Sequence, residues 1–212
     1  MIFIDSANIG EIKSALELGW VKGVTTNPIL LALEKCDPVS LFEDIQALSS
    51  GPIFYQIMSR EIGEMHKEAS KMAQILGGQL VLKIIPSKTG FKFCSLYSGE
   101  FDICITAVFN PLQAVVAANS GAVYTAVYYN RAQKSLGDGS RLIKEISTVL
   151  SGSGTEILAA SIKSVDEVKV VLNAGALHIA LPYSVIEQMI QDDLSEQAIE
   201  SFFQNGVGID TY

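Results

Sequence analysis

The sequence lacks the features that mark several broad classes of protein. Its first residues, MIFIDSAN, have no basic segment followed by a long apolar segment, as a secretory signal peptide would. No stretch reaches the roughly 18 uninterrupted apolar residues of a membrane-spanning helix. Acidic residues outnumber basic ones by 23 to 15, which argues against a surface that binds a polyanion. We therefore expect a cytoplasmic protein that binds neither a membrane nor a nucleic acid.

Cysteine and histidine are also scarce. The three cysteines, Cys36, Cys94 and Cys104, are odd in number and show no CxxC spacing, which argues against a disulfide framework and against a zinc site. His66 lies among helix charges and His178 opens an apolar run, so the two histidines share no pattern. We expect free, buried thiols, no metal and no cofactor.

Apolar residues are abundant, at 49% of 212 residues, which is enough for one sizeable core. Eight short runs recur at intervals of roughly 20 to 30 residues, each nearly all apolar rather than alternating. Such runs are typical of parallel strands that are covered on both faces. The runs are IFID (2 to 5), GVTT (23 to 26), IFYQI (53 to 57), LVLKI (80 to 84), ICITAV (103 to 108), AVYTAV (122 to 127), EILAAS (156 to 161) and HIALP (178 to 182).

Between the runs lie segments with the apolar spacing of amphipathic helices. In residues 60 to 76 the apolar side chains recur at intervals of three and four, with charged side chains between them. Strand then helix, eight times, predicts a single (β/α)₈ barrel domain over residues 1 to 212. The remaining predicted helices cover residues 8 to 18, 39 to 48, 110 to 119, 139 to 150, 164 to 173 and 184 to 190, while the segment after Thr89 is less clear.

The same alternation also permits a doubly wound open sheet. Two observations favour the barrel: there are eight strands, and no GxGxxG follows the first of them. A further helix is predicted from 195 to 203, within a terminal segment (195 to 212) that could pack on a neighbouring subunit.

Polar residues stand where the predicted strands end, and in a barrel the chemistry lies at those carboxyl ends. Each polar residue alone has a structural explanation: Asp5 could cap the next helix, and Asn27 before Pro28 is a common helix start. Together they bring a polar group from seven of the eight strands to one rim. The residues are Asp5, Thr25, Thr26, Asn27, Gln56, Lys83, Thr106, Tyr128, Arg131 and Ser161.

Lys83 is the most informative of these residues. Burying an ammonium ion in an apolar barrel is costly, which favours the neutral amine, and a neutral amine attacks carbonyl carbon to form a Schiff base. Gln56, Thr106 and Tyr128 could hold a water that carries the protons of such a reaction. In the structural alternative, Lys83 extends to solvent or pairs with Asp5.

Six ordered motifs resemble those of the small transaldolase and fructose-6-phosphate aldolase family. They are FIDSANIGEIK, GVTTNPILL, LVLKI followed by a proline, TAVFNPLQAVVAANSGAVY, YYNR and ILAASIK, and they span nearly the whole chain. The resemblance implies a (β/α)₈ barrel in which Lys83 forms the Schiff base. It implies that Asp5, as a catalytic residue, and Asn27 contact and orient the dihydroxyacetone-type donor and Lys83. Thr26 is a further predicted substrate-binding residue. It also assigns the sugar phosphate to Arg131 and Ser161, with Lys163 in the place of a second arginine.

Two activities share this scaffold. Transaldolases carry glutamate and phenylalanine where this chain has Gln56 and Tyr128, so these residues resemble the branch that cleaves fructose 6-phosphate. The segment FNPLQA (109 to 114) instead resembles transaldolases, which move a dihydroxyacetone unit from sedoheptulose 7-phosphate or fructose 6-phosphate to an aldose phosphate in the pentose phosphate pathway. A barrel that binds a sugar phosphate without turnover is a third, non-enzymatic alternative.

The resemblance also implies a partner, because members of the family form ring-like homodecamers; we expect a homo-oligomer. The sequence departs from the family after Lys83, where Ile85 occupies the place of a proline, and at Cys104, where asparagine or a small residue is usual.

Overall fold

The computed structural model describes residues 1–209, in which eight parallel strands close into a barrel in chain order. Each strand pairs with the next, and β8 pairs with β1. The predicted (β/α)₈ barrel is confirmed, and the open-sheet alternative is wrong. The strands are β1 (Ile2–Asp5), β2 (Val21–Thr25), β3 (Ile53–Gln56), β4 (Leu80–Ile84), β5 (Asp102–Val108), β6 (Tyr124–Tyr128), β7 (Glu156–Ala160) and β8 (His178–Leu181).

Every predicted strand is present, and the largest differences lie at strand starts. β2 begins two residues before the predicted run because Lys22 belongs to the strand, although its side chain is exposed and its amine donates to the carbonyl of Gly19. β6 begins two residues later than predicted, at Tyr124, because Ala122 still belongs to the turn that follows the preceding helix and donates its N–H to the carbonyl of Ala117.

Eleven α-helices are formed by the described residues. All the predicted ones are present, and the unclear segment after Thr89 is helical, beginning where the Ser87 hydroxyl accepts a hydrogen bond from the Gly90 N–H. The helices are α1 (Ile9–Glu17), α2 (Pro28–Glu34), α3 (Pro38–Leu48), α4 (Ile62–Leu76), α5 (Lys88–Tyr97), α6 (Pro111–Asn119), α7 (Tyr129–Leu136), α8 (Gly139–Val149), α9 (Val165–Asn173), α10 (Tyr183–Gln188) and α11 (Asp193–Asn205).

Two of these helices, α2 and α7, were not predicted. Each is short and begins immediately after the polar residues that end a strand. The segment PILLALE is nearly all apolar, so it lacks a polar face. YNRAQKSL does have apolar residues at intervals of three and four (Tyr129, Ala132 and Leu136), but the pattern covers only eight residues directly after β6. The additional helices matter for function, because they carry the residues after Asn27 and Tyr128 across the rim of the barrel.

Aromatic rings fill the amino-terminal half of the barrel interior. Phe3 packs edge-on against Phe54, with ring centroids 5.1 Å apart, and Phe54 packs against Tyr124 at 5.4 Å. Tyr124 in turn meets the ring of His178 at 5.3 Å. His178 is buried and its Nε2 lies 2.7 Å from an oxygen of Glu156. These residues close this end of the barrel with packed side chains.

The terminal helix α11 extends the predicted helix (195 to 203) by two residues at each end, and Asp192 caps it by accepting from the N–H of Ser195. None of its residues is buried, and Leu194, Phe202 and Phe203 are at least 74% exposed. Residues 210 to 212 of the predicted terminal segment (195 to 212) lie outside the described residues. In the described part of the chain, every helix is too short or too polar to cross a membrane.

Candidate active site

A cavity of about 510 Å³ opens at the carboxyl ends of the strands. Nine of the ten residues predicted for the site line it, and Thr26 is the exception. The nine, which include two from the loop after β7, are Asp5, Asn27, Gln56, Lys83, Thr106, Tyr128, Arg131, Ser161 and Lys163.

The cavity exists because the inward side chains become small beyond the aromatic layer. On β6 the inward residue after Tyr124 is Ala126, and on β8 the inward residue after His178 is Ala180. Both alanines line the cavity, with Ala160 and Leu158 of β7. A side chain larger than alanine at these positions would occupy the space between the aromatic layer and the rim.

Lys83 lies at the floor of this cavity. It is 5% exposed, so the alternative in which it extends to solvent is wrong. Its Nζ donates a short hydrogen bond to the main-chain carbonyl of Thr26. Asp5, the other predicted partner, uses its Oδ1 to accept from the hydroxyl of Thr25 at 2.8 Å. The amine therefore rests against a neutral acceptor inside the barrel.

The side chain of Thr26 does not reach the cavity, which corrects its predicted place among the substrate-binding residues. Its hydroxyl is fully buried and donates to the carbonyl of Phe54 at 2.9 Å. Thr25 lines the cavity instead. The period of two along a strand could have identified it, because Thr25 shares the inward face with Gly23, whose added Cβ would lie 3.2 Å from the ring of Phe3.

The predicted capping role of Asp5 is also wrong, because Asn8 caps α1 by accepting from the N–H of Glu11. Asn27, in contrast, does cap a helix. Its Oδ1 accepts from the N–H groups of Ile29 and Leu30, which leaves the amide Nδ2 as the group that it can offer to the cavity.

Thr106 and Tyr128 meet on the opposite wall. The register of β5 shifts between Ile105 and Val108, and Ala107 adopts a left-handed backbone with φ of 58°. At this irregularity the Thr106 hydroxyl donates to the Tyr128 oxygen at 3.2 Å. A β-bulge commonly redirects a side chain in this way.

The cavity has a cationic side. Arg131 lies in the first turn of α7, with its guanidinium carbon 5.0 Å from the centre of the Tyr128 ring. Ser161 follows β7 in a left-handed conformation, with φ of 61°, and Lys163 lies two residues further. Both Arg131 and Lys163 are exposed, so their charges face solvent and the cavity mouth.

The segments that follow β2, β3 and β4 form an apolar wall at the mouth of the cavity, which the sequence did not predict. Ile29, Leu30, Met58 and Ile85 line it, and Met58 and Ile85 are at least half exposed. Ile85, which stands in the place of the family's proline, belongs to this apolar wall. Sequence periodicity cannot identify exposed apolar side chains at the rim, because the loops that carry them have no fixed period.

Two of the three cysteines are buried as predicted, and Cys36 is exposed, which corrects that prediction. Burial raises the pKa of the Cys104 thiol to about 12 and that of Cys94 to about 11. Cys104 pairs in register with Lys83, so a protonated thiol lies beside the lysine backbone.

The chain matches the Transaldolase/Fructose-6-phosphate aldolase family over residues 2–211. It belongs to this family. Membership also makes it an enzyme, either an aldolase or a transaldolase, so the non-enzymatic alternative is wrong.

Relatives in this family come from distant organisms. The chain is 36% identical over 206 residues to a probable transaldolase of Thermodesulfovibrio yellowstonii, covering 96% of each chain. A probable transaldolase of Clostridium botulinum is 36% identical over 211 residues, covering 98% of each, and one of Nitrosopumilus maritimus is 32% identical over 208 residues, covering 96% of this chain and 93% of the relative.

Solved structures share the fold at much lower identity. Mandelate oxidase with 2-hydroxy-phenylacetamide superposes with a TM-score of 0.64 at 14% identity, over 97% of this chain and 71% of that chain. Mandelate oxidase with benzoyl-formic acid gives a TM-score of 0.62 at 14% identity, over 94% of this chain and 67% of that one. This likeness concerns the barrel alone.

Proposed function

We propose that this member of the transaldolase and fructose-6-phosphate aldolase family is a class I aldolase that cleaves fructose 6-phosphate through a Schiff base on Lys83. One observation carries the proposal. A buried lysine amine lies at the floor of a cavity whose mouth holds Arg131 and Lys163. A nucleophile for a ketone and cations for a phosphate in the same cavity suit a phosphorylated ketose.

The reaction begins when the neutral amine of Lys83 adds to the C2 carbonyl and water leaves, which gives an iminium ion. A base then removes the proton of the C4 hydroxyl, and the C3–C4 bond breaks. Its electron pair moves into the iminium, which becomes an enamine, while glyceraldehyde 3-phosphate departs. Protonation of the enamine at C3 and hydrolysis of the resulting iminium release dihydroxyacetone and the free amine.

Proton transfer is assigned to three polar side chains on β3, β5 and β6, which lie on either side of Lys83 in β4. Tyr128 and Thr106 are already hydrogen-bonded to one another, and Gln56 pairs in register with Lys83 on the neighbouring strand. All three line the cavity, where they can bind one water between them. A tyrosine hydroxyl in this group supplies the proton that an aldolase needs at C3 of the enamine.

Substrate binding divides between the two ends of the cavity. Arg131, Ser161 and Lys163 hold the phosphate, because two cations and a hydroxyl match its charge and its acceptor oxygens. Asp5 on β1, Thr25 on β2 and Asn27 directly after β2 lie near the Thr26 carbonyl that the Lys83 amine contacts, and they bind the hydroxyl groups of the donor. Here Thr25 takes the place that Thr26 had in the prediction.

A transaldolase activity is the second candidate, and the names of the relatives favour it. The two reactions share every step up to the enamine. A transaldolase retains the enamine until an acceptor aldose phosphate arrives, and the enamine then attacks its aldehyde carbon. The choice therefore depends on how quickly Tyr128 and the bound water protonate the enamine.

Borohydride reduction tests the Schiff base directly. With dihydroxyacetone present, we expect a stable mass adduct on the peptide that contains Lys83, and none on that peptide in Lys83→Met. A folded protein without the adduct would overturn the mechanism. Release of glyceraldehyde 3-phosphate from fructose 6-phosphate then distinguishes the activities: an aldolase releases it without an acceptor, whereas a transaldolase requires added erythrose 4-phosphate.

The exposed face of α11 supports a homo-oligomer. Leu194, Ile199, Phe202 and Phe203 are at least half exposed on one short helix, and apolar surface of this kind is usually covered. We propose that a second copy of the chain covers it, as the resemblance to decameric relatives implied. Light scattering after size exclusion should give a multiple of 22.8 kDa, and a monomer would contradict this proposal. A cytoplasmic location stays a prediction from the sequence.

A further inference from the structure

Glu167, which neither the sequence reading nor the proposed mechanism uses, lies behind the cationic side of the cavity. It is in the first turn of α9 and is partly buried. One carboxylate oxygen accepts from the backbone N–H of Lys163 at 2.7 Å, and the other accepts from the side-chain amide of Asn130 at 2.8 Å. One carboxylate thus joins the loop after β7 to the first turn of α7.

Further hydrogen bonds complete this connection. The backbone N–H of Asn130 donates to the carbonyl of Ser161 at 3.2 Å. The hydroxyl of Ser164 accepts from the N–H of Glu167 at 3.2 Å, which fixes the start of α9. The connected segments carry the three residues proposed to hold the phosphate: Arg131 follows Asn130, and Ser161 and Lys163 belong to the loop.

Ser161 shows why the loop needs support. Its φ of 61° lies in the left-handed region, which is unfavourable for a non-glycine residue and persists only when the surroundings fix it. The bond from Asn130 to its carbonyl and the bond from Glu167 two residues later hold the backbone on both sides. Without them the loop is free to relax to an ordinary conformation.

We propose that Glu167 is a positioning residue that sets the geometry of the anion-binding end of the cavity, an inference that rests on the proposed function. Its negative charge alone would oppose an anion beside Arg131 and Lys163. Positioning and electrostatics therefore predict opposite changes in phosphate affinity when the carboxylate of Glu167 is removed. Removal of the carboxylate weakens phosphate binding if positioning dominates, and strengthens it if charge dominates.

The matched control is Asp166, the preceding residue. It carries the same charge in the same helical turn, but its contact is with the exposed amine of Lys169 at 3.1 Å. Glu167→Ala and Asp166→Ala therefore change the net charge equally. They differ in whether the loop after β7 loses its connection to α7.

The test compares two acceptor aldehydes, glyceraldehyde 3-phosphate and glyceraldehyde, in the aldol direction with dihydroxyacetone as donor. For Glu167→Ala we expect the ratio of kcat/KM values, phosphorylated over unphosphorylated, to fall by about 10-fold or more, mainly through KM for the phosphorylated aldehyde. Asp166→Ala should keep the wild-type ratio or raise it slightly. Turnover of glyceraldehyde should be similar in all three proteins.

Several outcomes would overturn this inference. One is an unchanged or raised ratio of kcat/KM values in Glu167→Ala. Another is an equal loss of activity toward both aldehydes in that variant, because an equal loss indicates a general structural role. A wild-type enzyme without preference for the phosphorylated aldehyde would also contradict it. Failure of the Schiff-base mechanism is recognised separately, because borohydride trapping with dihydroxyacetone needs no phosphate.

Asn130→Ala keeps the test decisive if Glu167→Ala does not fold. It removes one of the two hydrogen bonds of Glu167 and leaves the charge in place. We expect a smaller fall in the same ratio, and an unchanged ratio in Asn130→Ala would overturn the inference. Where Glu167→Ala does fold, a double variant should be no worse than Glu167→Ala alone, because both substitutions break one connection. Additive losses in the double variant would contradict a shared connection.

Discussion

The two halves of the barrel interior are formed by the same strands and have opposite character. The amino-terminal half holds the rings of Phe3, Phe54, Tyr124 and His178 in mutual contact. The carboxyl-terminal half holds a cavity of about 510 Å³ and a buried lysine. Two residues along a strand separate them, as Tyr124 and Ala126 show.

The difference shows where stability and reactivity reside. Burying a large apolar side chain contributes about 1.5–3 kcal/mol, so the aromatic half stabilises the barrel. The other half leaves space unfilled and removes a cationic side chain from water, and both are costly. A substitution at the cavity end should therefore lower activity and leave stability unchanged or higher. A substitution at the aromatic end should lower stability and leave activity unchanged.

Lys83→Met gives the largest expected effect at the reactive end. It should abolish turnover, because thioether sulfur cannot form a Schiff base, and it should leave the protein as stable as the wild type or more so, because a buried amine is replaced by an apolar side chain of similar size. Each 1 kcal/mol gained would raise the unfolding midpoint by about 2–4 °C. Assay of kcat and a thermal melt check both expectations.

Lys88→Met is the matched control, since Lys88 is exposed in the first turn of α5. Lys88→Met should change neither kcat nor the unfolding midpoint. A strongly destabilised Lys83→Met would show that the lysine contributes to the packing of the barrel, and the contrast between the two ends would fail.

Tyr128→Phe sharpens the contrast within the reactive end. The ring that packs against Arg131 remains, so KM for fructose 6-phosphate should change little, while the hydroxyl bound to Thr106 is lost. We expect release of dihydroxyacetone to slow by about 10²-fold relative to transfer onto erythrose 4-phosphate. An unchanged ratio of the two rates would count against Tyr128 as proton donor.

Tyr129→Phe makes the same substitution one residue later, where the ring packs in the outer core away from the cavity. We expect it to preserve the ratio of cleavage to transfer.

His178→Asn gives the smallest expected effect, at the stabilising end. Burial lowers the pKa of His178 below its ordinary value, although Glu156 partly opposes the shift. The unfolded chain therefore binds a proton more readily than the folded one, and the free energy of unfolding should decrease as the pH falls below about 6.5. The variant should lose this pH dependence and keep its activity at fixed pH.

Urea unfolding between about pH 5 and pH 8 measures how steeply the free energy of unfolding changes with pH. A wild-type protein whose stability rises toward low pH over this interval would contradict the assignment.

Much of this architecture followed from local patterns. Buried strands leave apolar runs of fixed length, and their ends fall on one rim, so the barrel and the position of Lys83 could be predicted. The helices α2 and α7 could not: α2 lacks a polar face, and the two-faced pattern of α7 covers only eight residues directly after β6.

The site was predictable where strand periodicity applies and unpredictable where the loops decide. Thr25 and Thr26 are both polar, so residue type alone does not distinguish them. The alternation of side chains along β2 places Thr25 on the inward face. The apolar wall at Ile85 and the role of Glu167 depend on how separate loops approach one another. Long-range contacts of this kind leave no periodic trace in the chain.

The hydrogen bond between Lys83 and the carbonyl of Thr26 has a consequence for the nitrogen itself. A main-chain carbonyl accepts and never donates, so in the neutral amine it engages an N–H and leaves the lone pair unengaged. A carboxylate in the same place would hold the nitrogen as an ion pair and keep that lone pair protonated. In the proposed mechanism, this hydrogen bond orients the nucleophile by one of its hydrogens and leaves the lone pair of the neutral amine free to meet a carbonyl carbon.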